Sequence, residues 1–96
     1  MTLLDAQLLD ITFQHRADVV DVELDGETVV FQPERESLTV LDPVGTVIWT
    51  LLDGTATVRV LCAELAEAYE APMAQIQSDV LPLVTKLNDD GLLDRC

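Results

Sequence analysis

VDVELDGETVVFQPERESLTVLDPVGTVIWTLLDG, residues 20–54, changes its hydrophobic period midway, and that change decides the fold. As far as Leu41 the period is close to two and β-branched residues are frequent, as in strands. Val20, Val22 and Leu24 alternate with Asp21 and Glu23. The Asp25-Gly26 pair that follows is a hairpin signal, because glycine accepts the positive φ of a tight turn. Thr28 to Phe31 form a second strand, ended by Pro33 and the charged Glu34-Arg35-Glu36, and Ser37-Leu38-Thr39-Val40-Leu41 form a third. The result is a three-stranded antiparallel meander, and so small a sheet needs something packed on one face.

After Asp42-Pro43 the period becomes helical. Asp42 suits an N-cap, and Pro43 suits the first helical position, where its missing N–H is not needed. Val44, Val47, Ile48, Leu51 and Leu52 are read as one apolar stripe, ended by Gly54. Thr57 caps a second helix with Val58, Leu61, Cys62, Leu65 and Tyr69 on one side. A third helix runs from near Pro72 towards Gly91 and carries Met73, Ile76, Val80, Leu83 and Leu87. Pro82 lies inside it, so it either kinks there or restarts with Asp79 as cap. A second apolar strip, Leu81 and Val84 flanked by Gln77 and Asn88, makes this helix wide enough for two partners. The predicted fold class is α+β: a three-stranded antiparallel β-sheet followed by three α-helices, winged-helix-like in order.

Upstream, Leu8-Leu9-Asp10-Ile11-Thr12-Phe13 is itself strand-like, and residues 1–12 read as a flexible segment or one that covers a strand edge. Ninety-six residues argue for a single domain over 1–96. Apolar residues make up 49%, enough for a core, while 18 Asp+Glu against 5 Lys+Arg give a net charge of -13. Such a surface repels phosphate backbones and anionic lipid heads, which argues against nucleic-acid and membrane partners. No stretch approaches the ~20 apolar residues of a bilayer span. Met1-Thr2-Leu3-Leu4-Asp5 lacks the basic start of a secretory signal, so the expected location is cytoplasmic.

Catalytic material is sparse. His15 is the lone histidine, in the polar run Gln14-His15-Arg16, and reads as a surface residue. Cys62 and Cys96 are far apart; with one histidine they predict neither a disulfide framework nor a metal site, and Cys62 reads as a small buried residue. The four glycines stand singly, so no phosphate cradle is present. A phosphopantetheine carrier would be helical throughout and carry an Asp-Ser pair, which this chain lacks. A DNA-reading winged helix would need cations on its helices, and only Arg59 and Lys86 are offered. Neither catalysis nor a cofactor is predicted, which leaves protein or peptide binding.

Val40-Leu41-Asp42-x-x-Gly45-x-x-Ile48-Trp49-x-x-Leu52-Asp53-Gly54-x-x-Thr57-Val58 and Asp79-Val80-x-x-Leu83-x-x-x-Leu87-x-x-x-Gly91-Leu92-Leu93 resemble the signature of the PqqD family, also called RiPP recognition elements. The resemblance covers roughly residues 18–93. It implies a small domain of three strands and three helices that binds the leader of a ribosomally made precursor peptide without catalysing anything. The domain would present that peptide to a modifying enzyme (a protease, a radical SAM enzyme or an ATP-dependent enzyme) in peptide natural-product biosynthesis, lasso peptides among the product classes. The leader would add to the edge of Ser37–Leu41 and lie against the third helix, roughly Met73–Asp90. Asp42 departs from the asparagine frequent in the family, and Pro82 departs inside the leader-binding helix.

An unpaired strand edge with apolar flanks is in any case suited to strand addition. The expected peptide-binding residues are therefore Ser37, Leu38, Thr39, Val40 and Leu41 on the strand, and Gln77, Val80, Leu81, Val84 and Asn88 on the helix. Ile76, Leu83 and Leu87 are assigned to the core. The alternative function is a structural or regulatory adaptor that binds a partner protein in the same cleft.

Overall fold

The computed structural model describes residues 5–96. In chain order these form α1 (Asp5–Leu9), β1 (Phe13–His15), β2 (Val20–Leu24), β3 (Glu27–Gln32), β4 (Ser37–Leu41), α2 (Pro43–Leu51), α3 (Val58–Ala68), α4 (Met73–Asp89) and β5 (Leu93–Arg95). β2, β3 and β4 make the antiparallel meander in that order. Asp25 and Gly26 both take positive φ (54° and 81°), the type I′ turn whose twist matches that of the strands it joins.

The register puts Val20 opposite Phe31, which lies opposite Leu38, and Val22 opposite Val29, which lies opposite Val40. Alternation then sorts the side chains onto two faces. Thr28, Val30, Gln32 and Leu41 are buried against the helices. Val20, Val22, Leu24, Val29, Phe31, Leu38 and Val40 share the other face, which no element covers among the described residues.

Asp42 caps α2 as its sequence predicts, its Oδ1 accepting from Gly45 N–H at 2.7 Å, and Thr57 accepts from Val60 N–H at 3.2 Å to start α3. The α2 stripe, however, is rotated from the expected one. Gly45, Thr46, Ile48 and Trp49 face inward, while Val44 and Val47 are exposed, because the large Trp49 ring takes the position beside the sheet. Its Nε1–H donates to Asp21 Oδ2 at 2.8 Å, which explains an acid on the helix-facing side of β2. His15 is not a free surface residue. Its ring stacks on Trp49 with centroids 3.6 Å apart and planes 8° from parallel, and its Nε2–H donates to the Trp49 carbonyl at 2.7 Å.

The segment read as a flexible or edge-covering strand, residues 1–12, behaves otherwise where it is described; residues 1–4 lie outside the described part. Residues 5–9 are helical, and Leu8 and Leu9 are buried in the core. Phe13 follows on β1, which pairs with β5 in a second, two-stranded sheet; neither strand was expected from the sequence. Cys96 N–H donates to the Thr12 carbonyl at 2.9 Å, and Val58 N–H to that of Ile11 at 3.0 Å. The described part of this segment therefore packs on the helices, and β1 after it pairs with β5.

Cys62 is fully buried and Cys96 exposed, both as free thiols. Burial pushes the Cys62 thiol up, away from the reactive thiolate. A disulfide exchange reagent at pH 8 is expected to titrate one thiol quickly in the folded protein and two after denaturation. Rapid native titration of both would show that Cys62 is not sealed in the core.

Candidate functional site

A cleft runs between β4 and α4, and its spacing is fixed at one end by polar ties. Gln32, at the end of β3, is fully buried; its Nε2–H donates to the Gly91 carbonyl at 2.7 Å and its Oε1 accepts from Glu34 N–H at 3.1 Å. Arg35 in the same loop donates to the Asp89 carbonyl at 2.8 Å, a cation at a helix C-terminus. Gly91 takes φ +76°, and the Arg35 guanidinium would lie 3.1 Å from any Cβ there, so glycine lets the arginine close over the turn. The β3–β4 loop is thereby clamped to the end of α4.

β4 is an edge strand. It pairs with β3 alone among the described residues, leaving one row of backbone groups open. Next to the end of that strand, Val40, Leu41, Asp42, Val44, Gly45 and Ile48 form one wall of a groove of about 590 Å³, and Ser78, Asp79, Pro82 and Leu83 form the other. The groove continues past Val44 and Asp79 into a hollow of about 270 Å³ beside Tyr69, Ala71 and Ile76. Its walls are mostly aliphatic, with carboxylates of Asp42 and Asp79 at the margin.

Of the strand half of the expected site, Val40 and Leu41 line the groove, Leu41 buried and Val40 exposed; Ser37 and Thr39 are half-buried, and Leu38 is exposed on the outward face of the sheet. The helix half is more deeply placed. Val80, Leu81 and Val84 are only 1%, 6% and 0% exposed and pack in the core, and Val80 also lines the hollow beyond the groove. Gln77 and Leu81 border an adjoining furrow of about 520 Å³ that shares Ser78 and Pro82 with the groove, while Asn88 borders neither. Leu83, assigned to the core, packs against it but is half-buried and also lines the strand groove.

Helix geometry explains these depths. At 3.6 residues per turn the apolar arc runs from Leu83 through Ile76, Val80 and Val84 to Leu81. Val80 and Val84 sit in its middle and therefore go deepest. Ser78, Asp79 and Pro82 also line the groove, and the sequence did not point to them for the site because they are polar or helix-breaking. An internal proline has no N–H for the carbonyl four residues back, here that of Ser78, and such a gap is tolerated on an outward face. α4 passes through Pro82 as a single helix, without the restart at Asp79.

Nothing in the cleft gathers catalytic groups. Among the described residues no cluster of three or more His, Cys, Asp or Glu is placed to hold a metal ion, and no helix is long and apolar enough to cross a membrane.

Residues 27–93 match the family described as coenzyme PQQ synthesis protein D. Among characterised relatives, the PqqA binding protein of Rhizobium meliloti (strain 1021) is 32% identical over 69 residues, covering 72% of this chain and 68% of the relative. The PqqA binding protein of Xanthomonas euvesicatoria pv. vesicatoria (strain 85-10) is 35% identical over 65 residues, 68% of each chain. Among solved structures, TbiB1 in complex with the TbiA(beta) leader peptide superposes with a TM-score of 0.76 at 22% identity, over 84% of this chain and 94% of TbiB1. The PqqD truncation of Methylobacterium extorquens PqqCD, a stand-alone RiPP recognition element, superposes at 0.71 with 25% identity, over 88% and 89% of the two chains.

Proposed function

The chain belongs to the PqqD family, and from that membership we propose that it is a non-catalytic adaptor for a ribosomally synthesised precursor peptide. It binds the leader of that peptide and delivers it to a modifying enzyme of peptide natural-product biosynthesis, in the cytoplasm and without a cofactor. The observation that carries this reading is the open edge of β4 lying beside an apolar groove. An extended segment paired with that edge gains backbone hydrogen bonds, and every second side chain is directed towards one face. Side chains directed towards the helices would meet Leu83 and Pro82 on α4 and Val44 on α2, with Val80 deeper in the adjoining hollow. The relatives named for binding PqqA, and the leader complex of the TbiB1 fold, support the same role.

The test is a calorimetric titration with two synthetic peptides from the precursor encoded beside this gene, one the leader and one the core that becomes the product. The leader is expected to bind with one-to-one stoichiometry and the core peptide not at all. Binding of the core alone, or of neither, would refute the adaptor role.

A further inference from the structure

Among the described residues the outward face of the β2–β3–β4 sheet has no partner, and a leader cannot supply one because it adds at the sheet's edge. Val20, Val22, Leu24, Leu38 and Val40 are each between 51% and 68% exposed on this face, with Phe31 beside them at 36%. So contiguous an apolar surface is rare on a chain that works alone, and six large side chains on one small sheet mark an interaction site. Its margin has a definite charge. The hairpin tip carries Asp25 and Glu27, and the opposite loop carries Glu34 and Glu36, all exposed. The two cations of the loop end are already engaged: Arg16 with Asp18 and Glu34, and Arg35 with the Asp89 carbonyl.

An apolar centre inside an acidic margin has the anatomy of a protein–protein interface, and its complement is an apolar surface bordered by lysine and arginine. A second copy of this chain is a poor complement, since two acidic margins would meet and each chain carries a net charge of -13. An anionic membrane is repelled by the same margin. We infer that this sheet face is the docking surface for the peptide-modifying enzyme, which presents to it an apolar patch with a basic border. The inference rests on the adaptor role proposed above and assigns that role a second surface, back-to-side with the leader cleft.

The experiment uses the full chain and the purified modifying enzyme encoded beside the precursor. Val22 lies on β2, two strands away from the open edge of β4, so Val22→Asp probes the face without touching the cleft. Enzyme affinity is expected to fall about tenfold or more in Val22→Asp, and by a smaller factor in the near-isosteric Val22→Thr, with leader affinity unchanged in both. Raising the salt concentration should weaken the wild-type complex, because opposite charges meet at the border. Unchanged enzyme affinity in Val22→Asp would overturn the inference. So would a wild-type dimer in analytical ultracentrifugation that strengthens with salt and is lost in Val22→Asp, since the face would then belong to a second copy. If the enzyme docks on this face but the leader does not bind, the docking surface stands and the leader-binding role fails.

Discussion

Replacing Val84 by aspartate is expected to remove a large part of the domain's stability. Val84 has no exposed surface and sits in the middle of the α4 arc, between the sheet-facing and α3-facing parts of the core. Lys86, the basic residue of α4, is exposed and bonds Asp90 at 2.9 Å, so it does not pair with a carboxylate in the core. The substitution removes the burial of a valine and strands a charge, or forces a protonated carboxyl into apolar surroundings, a combination that costs about 4 kcal/mol or more. A domain of this size has roughly 5–15 kcal/mol of stability in all. Urea unfolding followed by far-ultraviolet circular dichroism should show a midpoint far below that of the unaltered chain. Leu83→Asp, one position earlier, should keep a native spectrum because that side chain already meets solvent in the groove. If both variants folded equally well, the placement of the α4 arc would be wrong.

This one-residue contrast also shows where sequence reading stops. The elements with strong local causes were legible: the Asp25-Gly26 turn, the Asp42 and Thr57 caps, and the change from alternating to helical period. Each is decided by a few neighbouring residues, and each is found where the sequence places it. The short pieces were not. β1 and β5 have three residues each, too few for a period, and they exist because distant parts of the chain meet. The Leu8–Phe13 segment is apolar enough for strand or helix, and packing on the helical core makes residues 5–9 helical. In the proposed binding site, the edge position of β4 was readable because it follows from chain order. How deep each α4 residue lies depends on which flank of a wide apolar arc meets solvent, and that is set by tertiary packing. Trp49 is the same case on α2: its bulk, its bond to Asp21 and its stacking on His15 rotate the helix away from the stripe that valine positions suggest.

Leader binding should fail in two separable ways, through the backbone of β4 and through the wall of α4. In an antiparallel ladder, successive residues turn their N–H groups to opposite neighbours. Of Thr39 and Val40, one therefore bonds β3 and the other faces the open edge. Proline at the β3-facing position should damage the fold, whereas proline at the edge-facing position should keep it, since edge strands tolerate a missing outward donor. The folded proline variant is expected to lose leader affinity by roughly tenfold, the loss of a backbone hydrogen bond together with the clash of the ring against an added strand. Leu83→Asp acts on the other wall. It removes aliphatic surface from the groove and places a second carboxylate close to Asp79, also on that wall. The loss of burial alone amounts to about 2 kcal/mol, close to thirtyfold in affinity. Calorimetry with the synthetic leader measures both effects, and circular dichroism checks that each variant is folded. Full affinity in the folded proline variant together with full affinity in Leu83→Asp would place the peptide elsewhere. Loss in Leu83→Asp with retention in the folded proline variant would mean that the groove holds the peptide by its side chains, without a strand being added to β4.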